Sequence, residues 1–221
     1  MWSPDGTHVL TGSGDGTARI WDATSGNNTL TLTHTHAVFA AAWSPDGTHI
    51  ITGSGDGTAR IWDTTSGNNT LTLTHEHPVL SVAWSPDGTY VITGSGAKVR
   101  IWDATTGDNT LTLKHTDWIG AAAWSPDGTH ILTGSKDGTA RIWESTTGEQ
   151  AQFMIATLPE GEFAVLSADR TEVIGASPYA WRWLGRYAKH PDGSIERVPV
   201  EIDGPLPPLS HGGETASGIE G

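Results

Sequence analysis

Short apolar runs alternate with turn residues over roughly the first two-thirds of the chain. In one unit the run His36–Trp43 ends at Ser44–Gly47, a turn in which Pro presets the first dihedral angle and Gly accepts a positive φ. Thr48–Ser54 follows and ends at an Asp-Gly hairpin, and Thr58–Asp63 and Thr70–Thr74 come next. This pattern predicts four short strands in one antiparallel sheet, and no stretch has helical periodicity with caps.

The pattern repeats with a period near 41 residues. Residues 43–75 repeat residues 2–34 with three changes, Val9 to Ile50, Leu10 to Ile51 and Ala23 to Thr64. A unit of this length cannot bury its own apolar face, so it must stack on a copy of itself. The repeat therefore predicts a stack of sheets, and it favours a surface that holds partners over a single reactive pocket.

Charge and composition narrow the possible partners. The chain of 221 residues has 25 acidic and 12 basic side chains and a formal net charge of -13. A duplex-binding protein needs a basic stripe, so we expect no nucleic-acid partner. Cysteine is absent, no apolar run reaches the roughly 18 residues of a membrane span, and Met1 opens no signal peptide. We therefore expect a cytoplasmic protein without a membrane partner.

Four linked motifs recur in the units: a boundary His, then WSPDG, TGS-x-DGT and RIWD. Together they resemble the WD-repeat β-propeller family, whose four-stranded blades stack around a central channel. The resemblance covers residues 1–155, with repeat boundaries near residues 34, 75 and 115. It implies an all-β fold of about four to five four-stranded antiparallel blades, in a propeller that is incomplete or truncated at its N-terminus.

The two ends of the chain depart from the repeat. Met1–Pro4 matches the end of a first strand whose body is missing. We expect residues 156–202 to form a degenerate C-terminal blade and residues 203–221, rich in Pro and Gly, to form a disordered tail. Three explanations stay open: the C-terminal strands close a five-blade ring, two chains self-associate to close it, or the chain is a fragment of a longer protein. We favour the fragment.

The resemblance also implies a structural hydrogen-bond network in each blade. In that family a boundary His, a Ser or Thr of the second strand, the turn Asp and the third-strand Trp bond to one another. The matching residues are His34, Ser54 (or Thr52), Asp56 and Trp62 in the second repeat, His75 and Trp102 in the third, and His115, Ser135, Asp137 and Trp143 in the fourth. Buried indole, imidazole and carboxylate groups each need such a partner.

The third repeat departs from this pattern. It is one residue shorter, and Ala97 and Lys98 stand where Asp-Gly-Thr would lie. His75 therefore loses its carboxylate partner, and we expect the third blade to be the least rigid.

Differences between the copies concentrate at the connection into the first strand of each blade. Divergence limited to one loop per blade, all on one face, suits a surface that binds a protein or peptide. Phe and Trp are residue types that anchor interfaces. The candidate partner-binding residues are His36, Phe39, Glu76, His77, Leu80, Asp117 and Trp118. The sequence therefore predicts a non-catalytic protein-interaction scaffold.

The sequence also bears on catalysis, metal binding and small-ligand binding. Ser, His and Asp recur in every unit, which marks them as scaffold, so we expect no enzyme, no catalytic residue and no cofactor. The pairs His34–His36 and His75–His77 have a spacing that a metal site can use, but their first members have the structural role, so we expect no metal. The alternative function is a propeller that binds a small ligand or carbohydrate. It would need the same aromatic in every copy, whereas residues 37, 78 and 118 are Ala, Pro and Trp.

Overall fold

The computed structural model describes residues 1–157 and four later strands, 163–167, 173–176, 185–189 and 195–199; side-chain surroundings are described for residues 1–151. All regular elements in these residues are strands, so the predicted all-β fold is confirmed. The described residues contain no helix that could span a membrane. The chain divides into two compact units, Met1–Asp137 with Ile142–Gln150, and Gly138–Arg141 with Ala151–Gly221.

Fourteen strands come from the four repeats. They are β1 His8–Gly12, β2 Thr17–Asp22, β3 Asn28–Thr33, β4 Val38–Trp43, β5 His49–Ser54, β6 Thr58–Asp63, β7 Asn69–Thr74, β8 Val79–Trp84, β9 Tyr90–Ser95, β10 Lys98–Asp103, β11 Asn109–Lys114, β12 Ile119–Trp124, β13 His130–Ser135 and β14 Thr139–Glu144.

Each repeat forms its own antiparallel sheet. Sheet 1 has the order β1-β2-β3, sheet 2 the order β4-β5-β6-β7, and sheet 3 the order β11-β10-β9-β8. Sheet 4 has six strands and begins with those of the fourth repeat, in the order β12-β13-β14. Corresponding bulges recur, such as the register shifts at Ile61/Trp62 in sheet 2 and Ile101/Trp102 in sheet 3. The repeated sequence thus folds into repeated sheets, as an incomplete β-propeller does.

The core lies between successive sheets. One cluster joins Ile61 and Leu73 of sheet 2 to Val79 and Trp102 of sheet 3, and equivalent clusters join sheets 1 and 2 and sheets 3 and 4. These side chains are at most 8% exposed. Each fully buried aliphatic side chain stabilises the fold by about 1.5–3 kcal/mol. A sheet is therefore held mainly by its neighbours.

Five further strands follow β14 in the described part of the chain. They are β15 Gln150–Thr157, β16 Phe163–Ser167, β17 Val173–Ala176, β18 Gly185–Lys189 and β19 Ile195–Pro199. β16 pairs with β15 and β17, and β18 pairs with β19, all antiparallel. The assignment of residues 156–202 to one degenerate blade stays a prediction. The predicted tail, residues 203–221, lies outside the described residues.

Glycine in the second strand of a blade lets the next sheet approach closely. A Cβ added to Gly94 would lie 2.8 Å from Cγ2 of Ile119, and one added to Gly53 would lie 2.8 Å from Cγ1 of Val79. Gly134 occupies the same position in sheet 4, and its added Cβ would have no described atom within 4 Å.

We expect Gly94→Ala to lower the free energy of unfolding by about 1–3 kcal/mol, because the new methyl group overpacks the contact with Ile119. Chemical denaturation followed by tryptophan fluorescence measures this change. Gly134→Ala is the matched control, with an expected change below about 1 kcal/mol. Equal losses in the two variants would contradict the role of Gly94 in sheet packing.

Candidate functional site

A chain of polar side chains connects the core of sheet 2 to its surface. Trp62 Nε1 donates to Thr52 Oγ1 at 2.7 Å, and Thr52 Oγ1 lies 2.7 Å from His34 Nε2. His34 Nδ1 lies 3.0 Å from Oδ2 of Asp56. A carboxylate can only accept, so His34 carries its proton on Nδ1 and accepts from Thr52 at Nε2. Every member of the chain has a partner.

The hydroxyl in this chain belongs to Thr52 and not to Ser54. Ser54 Oγ donates instead to the carbonyl oxygen of His36 at 3.0 Å and accepts from the backbone N–H of Asp56. Ser135 Oγ likewise donates to the carbonyl oxygen of Asp117 at 2.9 Å. These serines therefore tie the loop before each first strand to the second strand, a role that differs from the one the sequence suggested.

Sheet 4 repeats the arrangement of sheet 2. Trp143 Nε1 donates to Thr133 Oγ1 at 2.8 Å, and Thr133 Oγ1 lies 2.7 Å from His115 Nε2. His115 Nδ1 lies 2.8 Å from Oδ2 of Asp137. The same four residue types thus adopt the same geometry two sheets apart.

Sheet 3 keeps the hydrogen bond from the indole to the threonine, but its boundary histidine bonds neither to that threonine nor to a turn aspartate. Trp102 Nε1 donates to Thr93 Oγ1 at 2.8 Å, while the guanidinium of Arg100 donates to Nδ1 of His75 at 2.9 Å. An arginine can only donate, so the neutral His75 ring carries its proton on Nε2, the opposite tautomer from His34. That buried Nε2 has no hydrogen-bond partner among the described residues.

Two cations share one exposed carboxylate beside His75. Lys98 Nζ lies 3.1 Å from Oε2 of Glu76, and a guanidinium nitrogen of Arg100 lies 3.6 Å from Oε1. The Glu76 side chain is 66% exposed, whereas that of Asp56 in sheet 2 is 6% exposed. The missing turn aspartate is thus replaced by a carboxylate from the loop before the first strand.

Burial decides the charge of these histidines. Burial lowers the pKa of His34 below its ordinary value, and the hydrogen bond that His34 donates to Asp56 partly opposes that shift. Burial and the nearby Arg100 lower the pKa of His75 to about 4. Burial raises the pKa of Asp56, but hydrogen bonds from Thr58 and His34 outweigh it and hold that pKa well below its usual range. His34 and His75 are therefore neutral at pH 7.

The candidate partner-binding residues lie in three loops and at the starts of the strands β4 and β8 that follow two of them; we call residues 35–39, 76–80 and 116–118 the boundary-loop face. Phe39 is 55% exposed and Trp118 is 37% exposed. His36, Glu76, His77 and Asp117 are also exposed, and Leu80 is partly buried. Most of the predicted residues are therefore accessible to a partner.

The structure brings some of these residues together. The rings of His77 and Trp118, from neighbouring loops, lie 5.6 Å apart at an angle of 44°. A Cβ added to Gly96 would lie 2.6 Å from Cδ2 of His77, so the hairpin of sheet 3 needs glycine beside this pair. Asp117 accepts from the backbone N–H of Trp118 at 2.7 Å, which fixes the start of that loop.

Sequence reasoning missed Arg100 and the placement of Thr93 and Thr133. The signal for the threonines was present, because residues two apart on a strand share a face and the sequence offers both hydroxyls. Nothing in the sequence indicated that Arg100 would contact His75, since the matching Arg60 of sheet 2 forms an ion pair with Asp56 at 3.4 Å. Within the described part of the chain, no group of three or more His, Cys, Asp or Glu is placed to hold a metal ion.

Repeated four-stranded sheets, their inter-sheet cores and the Trp-Thr-His-Asp chain define a WD-repeat β-propeller domain. The family model of the IFT122 first beta-propeller matches residues 1–156, and the chain belongs to this family. The predicted resemblance is thereby confirmed. None of the curated proteins matches the chain.

We expect His75 to make stability depend on pH. Its pKa is about 4 in the folded protein and 6.5 ordinarily, so the folded state binds fewer protons between these values. The contribution of His75 to the free energy of unfolding is therefore fully present above pH 6.5 and is lost as the pH falls toward 4. The expected loss is about 2 kcal/mol between pH 7 and pH 5. Denaturation at both pH values measures this slope.

His75→Gln should reduce the change in the free energy of unfolding between pH 7 and pH 5, whatever its effect on stability at pH 7. Gly134→Ala, which changes no titratable group, is the control and should leave the pH dependence of stability unchanged. A His75→Gln slope equal to that of the unmodified protein would contradict the assignment.

Proposed function

We propose that this domain is a non-catalytic scaffold that binds a protein or peptide partner on the boundary-loop face. The family is one of interaction scaffolds, which supports protein binding in general. The observation that supports this face is the exposure of Phe39, at the start of β4, and of Trp118, in a boundary loop, each beside polar groups. Large exposed aromatics with a polar surround are typical of interface anchors.

The rigidity of the loops supports the same proposal. The backbone N–H of Gly55 donates to the carbonyl oxygen of Ala37 at 2.8 Å, and that of Lys136 donates to Trp118 at 2.8 Å. Together with the bonds of Ser54 and Ser135, these contacts hold the loops before any partner arrives. Loops that are already ordered lose less conformational entropy on binding, which favours affinity.

The proposed scaffold function includes no reaction, no cofactor and no membrane partner. It also includes no nucleic-acid partner, in keeping with the net charge of -13. The cytoplasmic location stays a prediction.

We expect Trp118→Ala to weaken partner binding by about tenfold or more, as loss of a central aromatic anchor does. A displayed library of random peptides, selected on the purified protein, supplies the binding probe, and titration gives the affinity. Thermal unfolding should be nearly unchanged, because the side chain lies on the surface. Trp2→Ala is the control, since Trp2 is a 63% exposed tryptophan outside the boundary loops. Equal losses of affinity and thermal stability in Trp118→Ala would contradict the proposal.

A second candidate function rests on three grooves between neighbouring sheets. The grooves have volumes of about 420, 440 and 440 Å³, and each is lined by a tryptophan, Trp43, Trp84 or Trp124. Each is also lined by two aspartates of the Ser-Pro-Asp-Gly turns. The three indole Nε1 atoms are buried and have no partner among the described residues. The same aromatic in every copy is what repeated binding of a small carbohydrate requires.

If the grooves bind carbohydrate, a glycan array should show one sugar class bound by the unmodified protein. Trp84→Leu should reduce that signal, because the sugar loses the ring on which it stacks. Trp118→Ala should keep the signal, since Trp118 lies on the boundary-loop face. An array without binding, or binding that Trp84→Leu leaves unchanged, would rule out this second function.

A further inference from the structure

Sheet 3 lacks a buried carboxylate that sheets 2 and 4 both have. In sheet 2, Asp56 accepts from His34 at 3.0 Å, from Arg60 at 3.4 Å and from the backbone N–H of Thr35 at 3.3 Å. In sheet 4, Asp137 lies in the matching place beside its boundary histidine. The one-residue deletion removes this group from sheet 3.

The arginine and the histidine that such a carboxylate would serve are still present, and Lys98 stands where sheet 2 has Thr58. Arg100 donates to Nδ1 of His75, and both Arg100 and Lys98 contact Glu76. The Arg100 side chain is 16% exposed and that of Lys98 is 38% exposed, so the pair can be reached from solvent. An ion pair this exposed contributes little to stability, so another carboxylate can replace Glu76 at small cost.

We propose that an acidic residue of the partner peptide binds Lys98 and Arg100 in the place that the turn aspartate occupies in the neighbouring sheets. We call Lys98, Arg100 and Nδ1 of His75 the acid slot. The incoming carboxylate displaces Glu76 and accepts charge-assisted hydrogen bonds from the two cations. Once the carboxylate draws the Arg100 guanidinium away from Nδ1 of His75, the ring can carry its proton on Nδ1 and adopt the tautomer of His34.

The surroundings of the slot indicate what stands beside the acidic residue. Gly96 lies two residues before Lys98, and the ring of His77, tilted against that of Trp118, comes so close to Gly96 that an added Cβ would lie 2.6 Å from its Cδ2. A peptide that fills both sites carries an acidic residue close to a large apolar one. This inference rests on the proposed function, because it names the partner chemistry of the same face.

Charge elsewhere on the protein opposes an acidic partner. The net charge of -13 repels such a peptide at long range, so the slot is a local exception. Substitutions at the slot should therefore have effects that a general change in charge does not reproduce.

The test starts from peptides selected from the random display library on the unmodified protein. We expect the selected sequences to share Asp or Glu near an apolar residue. Changing that residue to Asn or Gln in a synthetic peptide should weaken binding by about tenfold, the loss expected for a charge-assisted pair. Equal affinity of the acidic and amide peptides would overturn the inference.

Three variants of the protein sharpen the test. Lys98→Gln should weaken binding of the acidic peptide severalfold, and Glu76→Gln should strengthen it, because the competing carboxylate is gone. Replacing Ala97-Lys98 by Asp-Gly-Thr restores the hairpin of sheet 2 and fills the slot from within. This repaired variant should lose the preference for the acidic over the amide peptide and unfold no more easily than the unmodified protein. Lys136→Gln removes a cation from the matching hairpin of sheet 4 and is the control.

The outcomes separate the two proposals. Peptides that need Trp118 but bind the repaired hairpin with an unchanged preference for acid would overturn the acid slot and leave the scaffold function standing. If no peptide is selected, or if Trp118→Ala has no effect on affinity, the scaffold function on this face and the acid slot both fail.

Discussion

Packing of one sheet on the next is the interaction on which the rest of this structure depends. Ile61 and Leu73 of sheet 2 are buried only because sheet 3 covers them with Val79 and Trp102. A small position such as Gly53 lets the neighbouring sheet come this close. Because the same contact recurs along the chain, a change in the second or third strand disturbs two interfaces. The loops before the first strands take no part in this packing between sheets, and the copies differ in these loops.

The strands could be predicted because their signals are local. Turn residues end each apolar run, and Thr58–Asp63 has the predicted bounds in the structure. The first strand of the same sheet was predicted from His36 but begins at Val38. The reason is a tertiary contact: the hydroxyl of Ser54 binds the carbonyl oxygen of His36 and holds that residue in the loop. A pattern of apolar positions carries no information about such a bond.

The polar network could be predicted in kind but not in detail. Residue types alone indicate that an indole, an imidazole and a carboxylate will share partners when buried. They do not decide between Thr52 and Ser54, because both lie on one face of the same strand. The structure gives Thr52 two bonds in the interior and Ser54 two bonds at the loop. The scaffold and the candidate binding face are thus joined through adjacent positions of one strand.

Sheet 3 shows how a scaffold of this kind can change without unfolding. Loss of the turn aspartate leaves a buried N–H of His75 without a described partner, which costs about 1–3 kcal/mol. The sheet remains packed, since Ile92 and Ile101 bury against sheet 4 and Val79 and Val91 against sheet 2. The neighbours therefore tolerate a defect that a lone sheet would not. In exchange for a buried carboxylate, the surface of sheet 3 gains Lys98 beside the arginine that sheet 2 also has, and the defect in the repeat gives this sheet a local charge that the other sheets lack.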